Sequence, residues 1–159
     1  MAKEKVRVRI SSEIIQHDFE EGGREEKEKI EFATEGVLSG KGNLLTLVYA
    51  ESKEMGMSGV ETTLILNTSD RGRVTMVRRG LNPTSMIFDL RNRRHICSYR
   101  TGGVPLEFCI CTKDVVNTVS PGVGGEIRLR YDIEMHGFVA QKNSFCLSLS
   151  PLPQKGDAR

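Results

Sequence analysis

Arg78 lies in a segment in which buried and exposed positions are predicted to alternate. This alternation places its charged side chain on the buried face. Arg78 shares its parity with Val74 and Met76, whereas Thr75 and Arg79 have the opposite parity. A guanidinium group removed from water must be paired, either by a carboxylate or by an anionic ligand in bidentate geometry. The position of Arg78 therefore predicts either a structural ion pair or an anchor for an anion.

Three other polar side chains are predicted to share the interior with Arg78. Tyr49 and Glu51 lie on one face of a strand, and Tyr131 has the apolar parity of its own strand. Glu51 supplies the carboxylate that a buried guanidinium requires, and the tyrosine hydroxyls add hydrogen-bonding groups. The alternatives are a pair between Arg78 and Glu51 that only fixes the strand register, and a bulge that turns Arg78 towards solvent.

The cysteines and histidines do not have the spacing of a metal site. The sequence contains neither a Cys-x-x-Cys pair nor a histidine at the offset that zinc sites use. We therefore expect small buried residues with reduced thiols, and neither a metal nor a cofactor. The four cysteines are Cys97, Cys109, Cys111 and Cys146.

Acidic and basic residues share one face of a later strand, where Arg130, Asp132, Glu134 and His136 alternate with apolar residues. Catalysis would require a nucleophile, a base and an orienting group that converge in space. A mixed-charge face turned to solvent is the simpler interpretation, and we assign no catalytic residue.

The positive charge of the chain is concentrated in one segment. The net charge is only +2, but Arg71 to Arg100 contains eight arginines against the single acid Asp89. Clustered cations suit phosphate contacts, yet Phe88 and Tyr99 are too few aromatics for base stacking. We interpret Arg91–Arg94 as solvated charge at a hairpin tip and do not expect nucleic-acid binding.

Apolar and polar residues alternate with period two along nearly the whole chain, which predicts an all-β protein. The acidic stretch over 20–28 has no apolar stripe and is interpreted as a solvated hairpin. Glycine and proline turns divide the chain into about ten strands. The predicted strands cover 5–18, 30–38, 44–51, 61–66, 74–79, 86–90, 96–101, 105–116, 127–135 and 145–149.

The short links between these strands predict an up-and-down antiparallel barrel. No helix is long enough for a crossover, which excludes βαβ topology, and closure removes the edges that a sandwich would expose. The length of 159 residues fits one domain, predicted over 1–150, followed by a flexible tail over 151–159.

Two features of the chain lead us to expect a cytoplasmic protein. Its apolar runs are far shorter than the roughly 18 residues of a membrane span. Met1 to Ile10 alternates charged with apolar residues and does not form the apolar core of a signal peptide. The sequence indicates no oligomeric state.

A set of short motifs, in order along the chain, is shared with a known family. The motifs are Ile30-Glu31-Phe32 with Thr34 and Gly36, Tyr49 with Glu51, Val77-Arg78-Arg79-Gly80, Tyr99 and Thr101 before Gly102-Gly103, and Gly125-Glu126-Ile127 before Tyr131-Asp132. Over roughly Val6 to Leu149 the chain resembles the YwiB-like bacterial family of domains of unknown function. Its Arg91–Arg94 link departs from the family pattern.

The resemblance implies a calycin-like barrel, similar to lipocalins and fatty-acid-binding proteins, with ligand binding as an analogy from the fold alone. We therefore expect a protein that binds an apolar or anionic amphipathic small molecule, and not primarily an enzyme. The alternatives are an enzyme or regulator acting on an anionic substrate at the barrel mouth, and a module that contacts RNA or an acidic protein through Arg91–Arg94. The candidate ligand-binding residues are Arg78, Glu51, Tyr49, Tyr99 and Tyr131.

Overall fold

The computed structural model describes residues 3–18, 24–51, 59–80, 83–101 and 104–152. These residues form ten β-strands joined by turns. They contain no helix that is long and apolar enough to cross a membrane. The strands are β1 (Lys3–Asp18), β2 (Arg24–Lys41), β3 (Leu44–Ala50), β4 (Glu61–Asn67), β5 (Arg73–Arg79), β6 (Thr84–Asp89), β7 (Arg94–Thr101), β8 (Val104–Asn117), β9 (Gly125–Met135) and β10 (Phe138–Pro151).

The ten strands form one antiparallel sheet that curls into a nearly closed barrel. The spatial order is β6-β5-β4-β3-β2-β1-β10-β9-β8-β7, so that the first and last strands pair and β6 and β7 stand at the two edges. Single hydrogen bonds join the two edges of the sheet. The described residues of β6 and β7 do not form a continuous ladder of paired backbone groups. The Cys97 thiol donates to the Ser85 carbonyl at 3.2 Å, and the Asp89 N–H donates to Thr112 Oγ1 at 3.3 Å. The all-β, up-and-down barrel that the sequence predicts is confirmed.

Alternation along the strands produces one buried and one exposed face, as in β9. Ile127 and Leu129 are fully buried, whereas Arg128 between them is exposed. The turn from β9 to β10 uses His136 and Gly137, with φ of 52° and 80°. Two successive residues with positive φ match the right-handed twist of a two-residue hairpin.

Two strands begin much earlier in the chain than the sequence predicts. The acidic stretch over 20–28, interpreted as a solvated hairpin, belongs to strand β2 from Arg24 onward, where it pairs with the long β1. Residues 20–23 lie outside the described residues. Strand β10 begins at Phe138, not near position 145. A bulge between Val139 and Gln141 shifts the register there and hides the alternation.

The inward faces of the strands bury apolar side chains inside the barrel. Leu47, Leu64 and Leu147 are each fully buried in one continuous core. Gly36 of β2 lies against the neighbouring strand so closely that an added Cβ would come within 2.8 Å of the Val48 carbonyl oxygen. Only glycine fits at this crossing without movement of the backbone.

The two ends of the barrel differ. At one end, the Arg71 guanidinium donates to the carbonyls of Asn117 and Val119, both at 3.1 Å, and links the β4–β5 and β8–β9 turns. The other end, where β3 finishes and β4 begins, is here called the mouth. Half-buried Phe32 and Met135 pack against the core on the mouth side.

The end of β10 includes the first residue of the predicted tail. Pro151 pairs with Val6, and the Leu152 N–H donates to the Lys5 carbonyl at 3.3 Å. The rest of the predicted tail, 153–159, lies outside the described residues.

Candidate functional site

Three inward-facing polar side chains lie in one row across β3, β4 and β5 at the mouth. The antiparallel register pairs Tyr49 with Thr62 and Thr62 with Arg78. Glu51 follows directly after β3, two positions beyond Tyr49 and also buried. We call Tyr49, Glu51, Thr62 and Arg78 the interior cluster.

The interior cluster contains polar atoms that are buried and have no partner. Tyr49 is 2% exposed, Thr62 0% and Glu51 8%. Within the described part of the chain, no hydrogen-bond partner is found for the Tyr49 hydroxyl, Glu51 Oε2, Thr62 Oγ1 or Arg78 Nε. A buried polar atom left without a partner costs about 1–3 kcal/mol. Four such atoms lie in the interior cluster, within an otherwise apolar barrel.

Arg78 points into the barrel, as its parity predicts. Strand β5 has a regular register on both sides, with Arg78 opposite Thr62 and Thr84. Its positive charge lowers the pKa values of Tyr49, Glu51 and Tyr131, although burial has the larger, opposite effect on each. The alternative of a bulge that turns Arg78 to solvent is therefore wrong.

Arg78 and Glu51 interact through their charges. Arg78 Nε does not donate to Glu51 Oε2, because neither of these atoms has a hydrogen-bond partner among the described residues. Burial raises the pKa of the Glu51 carboxyl group above its ordinary value of 4.5, and the positive charge of Arg78 only partly offsets this. A tight ion pair would lower that pKa. The attraction of Arg78 therefore does not outweigh the effect of burying the Glu51 carboxyl group.

Burial also governs the Tyr49 phenol. It is the largest cause of a raised pKa, the negative charge of Glu51 adds to it, and Arg78 and the nearby Thr62 hydroxyl act in the opposite direction. Thr62 is close enough to influence the phenol, but neither oxygen has a partner in hydrogen-bond geometry. The phenol therefore remains a neutral group that is able to donate or accept one hydrogen bond.

Tyr131 approaches the interior cluster from β9. Its ring lies 4.6 Å from that of Phe88, measured between centroids, at an angle of 53°. The side chain as a whole is half-buried, but burial around the hydroxyl group raises its pKa and Arg78 lowers it. Tyr131 is thus within electrostatic range of Arg78. Tyr99 lies in β7, and its side chain is outside the described part of the structure.

Sequence reasoning missed two buried polar residues near these groups. Thr62 has the apolar parity of β4, together with Leu64 and Leu66, and that shared parity was the available signal. Asn143 is 8% exposed, its Nδ2 has no partner, and it pairs with Tyr131. Its position follows from the β10 bulge, which the sequence pattern conceals.

A second polar cluster lies on the outer face. The Cys111 thiol donates to Glu134 Oε2 at 2.8 Å and lies 4.0 Å from the Cys109 sulfur. Burial and then the hydrogen bond to Glu134 raise the pKa of Cys111 to about 12. Cys109 and Cys146 are half-buried, whereas we expected all cysteines to be buried. All four cysteines are free, and no metal-capable group of three occurs within the described ranges.

The arginine hairpin is used largely within the protein. Arg93 donates to the Thr112 and Lys113 carbonyls at 3.2 and 2.9 Å. Arg94 forms a bidentate pair with Glu134, at 3.2 and 3.0 Å. Arg93 and Arg94 are exposed, but both are hydrogen-bonded to other parts of the protein.

Comparison with known proteins agrees with this architecture. A family model described as a domain of unknown function (DUF1934) matches residues 10–147. The chain belongs to this family. The crystal structure of the ywiB protein from Bacillus subtilis superposes on this DUF1934 chain with a TM-score of 0.72 and 22% identity, covering 94% of this chain and 92% of the other. This similarity supports the fold alone. No curated protein matches the chain.

Proposed function

We propose that this barrel binds a small amphipathic acid. The acid group lies at the interior cluster, and the apolar part lies against the half-buried apolar side chains of the mouth. The observation that carries this proposal is the group of four unpartnered polar atoms around Arg78. A ligand that supplies their partners removes a cost that the protein otherwise bears.

The chemistry of the cluster suits a carboxylate. The Arg78 Nε–H is a charged donor, and the hydroxyl groups of Tyr49 and Thr62 are able to donate as well. Charge-assisted hydrogen bonds to an oxyanion are roughly twice as strong as neutral ones. Tyr131, within electrostatic range of Arg78, offers a further hydroxyl group.

The mouth supports the apolar part of such a ligand. Phe32, Ile133 and Met135 are half-buried and pack against the core. An apolar chain that covers these side chains gains about 25 cal/mol for each Å² removed from water. We place this binding in the cytoplasm, because four free thiols are typical of a reducing compartment.

Calorimetric titration with octanoate tests the proposal. We expect the wild-type protein to bind octanoate with a dissociation constant below about 1 mM, and Arg78→Leu to abolish binding. Arg79→Leu is the matched control, since Arg79 is the exposed neighbour of opposite parity on the same strand.

Arg79→Leu should bind as the wild type does. Absence of binding by the wild-type protein, or equal loss in both variants, would contradict a site at the interior cluster. Thermal melts of all three proteins establish that each is folded during the titration.

A further inference from the structure

The unpartnered atoms of the interior cluster include both a hydrogen-bond donor and a hydrogen-bond acceptor. Arg78 Nε is a donor only, whereas Oε2 of an ionised Glu51 is an acceptor only. Because the two atoms do not bond to each other, a ligand that satisfies both must itself carry an acceptor and a donor. Tyr49 and Thr62 adapt to either, since a hydroxyl both donates and accepts.

A simple carboxylic acid satisfies only half of this cluster. Its carboxylate accepts from Arg78, but it introduces a second negative charge beside the buried Glu51. Like charges in a buried site disfavour ionisation of both groups, so that one of them must take up a proton. A donor next to the acid group of the ligand would instead complete the hydrogen bonding of Glu51.

The charge of the cluster leads to the same conclusion. Arg78 and an ionised Glu51 sum to zero, and buried charges are tolerated when each is paired. The matching ligand head therefore carries an acid for Arg78 and an adjacent ammonium group for Glu51, because a hydroxyl group would leave the added negative charge uncompensated.

We infer that the ligand is an apolar 2-amino acid, whose ammonium group lies beside its carboxylate, and that Glu51 selects it. This inference rests on the proposed function and narrows it to a chemical class. Arg78 holds the carboxylate, Glu51 accepts from the neighbouring donor, and the alkyl chain lies towards Phe32 and Met135.

The test compares octanoate, 2-hydroxyoctanoate and 2-aminooctanoate by calorimetry at pH 7. In the wild-type protein we expect 2-aminooctanoate to bind about tenfold tighter than octanoate or better, and 2-hydroxyoctanoate, which adds a donor but no positive charge, to gain less. In Glu51→Met, which keeps the length of the side chain but removes the acceptor, this preference should reverse in favour of octanoate. The two donor-bearing acids distinguish a hydroxyl from an ammonium group.

Titration in two buffers of different ionisation enthalpy provides an independent measurement. Octanoate and 2-hydroxyoctanoate should each take up a proton on binding to the wild-type protein, and 2-aminooctanoate should not. This measurement requires no variant and therefore stands even if Glu51→Met does not fold.

The outcomes separate the inference from the proposed function. If octanoate binds in an Arg78-dependent manner and the other acids bind no tighter, the inference is overturned and the proposed function stands. If none of the three binds, both are overturned. If the donor-bearing acids are preferred equally by wild type and Glu51→Met, Glu51 does not select the ligand and the inference is wrong.

Discussion

Replacing Arg78 by leucine should have two opposing effects on the free energy of unfolding. The change removes a buried Nε–H that has no partner, which stabilises the fold by about 1–3 kcal/mol. It also removes the cation that faces the buried Glu51. Leaving a buried carboxylate without the opposite charge that faces it costs about 3–5 kcal/mol. When Glu51 is ionised, we therefore expect Arg78→Leu to lose about 2 kcal/mol in free energy of unfolding, the difference between these terms.

The pH dependence of this loss has a definite sign. Burial raises the pKa of Glu51 above 4.5, so the folded state binds this proton more tightly than the unfolded state. The stabilisation that the protonated Glu51 contributes is fully present below pH 4.5. This stabilisation is lost as the pH rises through the folded-state pKa of Glu51. Without Arg78 the folded-state pKa of Glu51 rises further, because the positive charge that lowers it is gone. The loss of stability with rising pH therefore continues to a higher pH. Arg78→Leu should therefore be as stable as the wild type or more stable near pH 4, and less stable near pH 8.

Urea unfolding at the two pH values measures both terms. The double variant Arg78→Leu/Glu51→Gln is the control, because it removes the stranded carboxylate and should recover most of the loss at pH 8. If Arg78→Leu has the stability of the wild type at both pH values, the guanidinium does not act on Glu51. In that case Arg78 faces water, and our assignment of the inward face of β5 is wrong.

Three further predictions concern other parts of the barrel. Gly36→Ala should lose about 1–3 kcal/mol in urea unfolding, because its Cβ would meet the Val48 carbonyl oxygen, whereas Gly40→Ala meets only a side-chain methyl and should lose less; equal losses would refute the close approach. Cys111 should resist iodoacetamide at pH 8 because its pKa is about 12, and Glu134→Gln should accelerate its alkylation because Glu134 helps to raise that pKa; an unchanged rate would contradict the thiol–carboxylate contact. The untreated protein should have the mass of four free thiols, and a loss of two hydrogens per cysteine pair would disprove this.

Local periodicity was sufficient for most of the fold. Period-two alternation places the inward side chains of β9 correctly because a strand turns successive residues to opposite faces. It failed for the first half of β10, where the bulge after Val139 adds a residue to one strand only. It also failed at the start of β2, since backbone pairing with β1 holds Glu25 to Glu28 in a strand without an apolar face.

The candidate site was only partly predictable. The inward direction of Arg78 and the shared face of Tyr49 and Glu51 follow from parity within single strands. The participation of Thr62 does not, because it depends on which residue of β4 lies between Tyr49 and Arg78. That register is decided by hydrogen bonds between separate segments and by the turns that join them.

The sequence by itself determined the class of the fold and the face on which each strand carries its charges, because both are properties of neighbouring residues. Only the tertiary structure decided that β1 pairs with β10, that the edges β6 and β7 meet, and that Nε of Arg78 and Oε2 of Glu51 remain unpartnered. These features depend on distances between residues far apart in the chain. Parity assigns a side chain to the interior, but closure of the barrel decides which other groups it meets there.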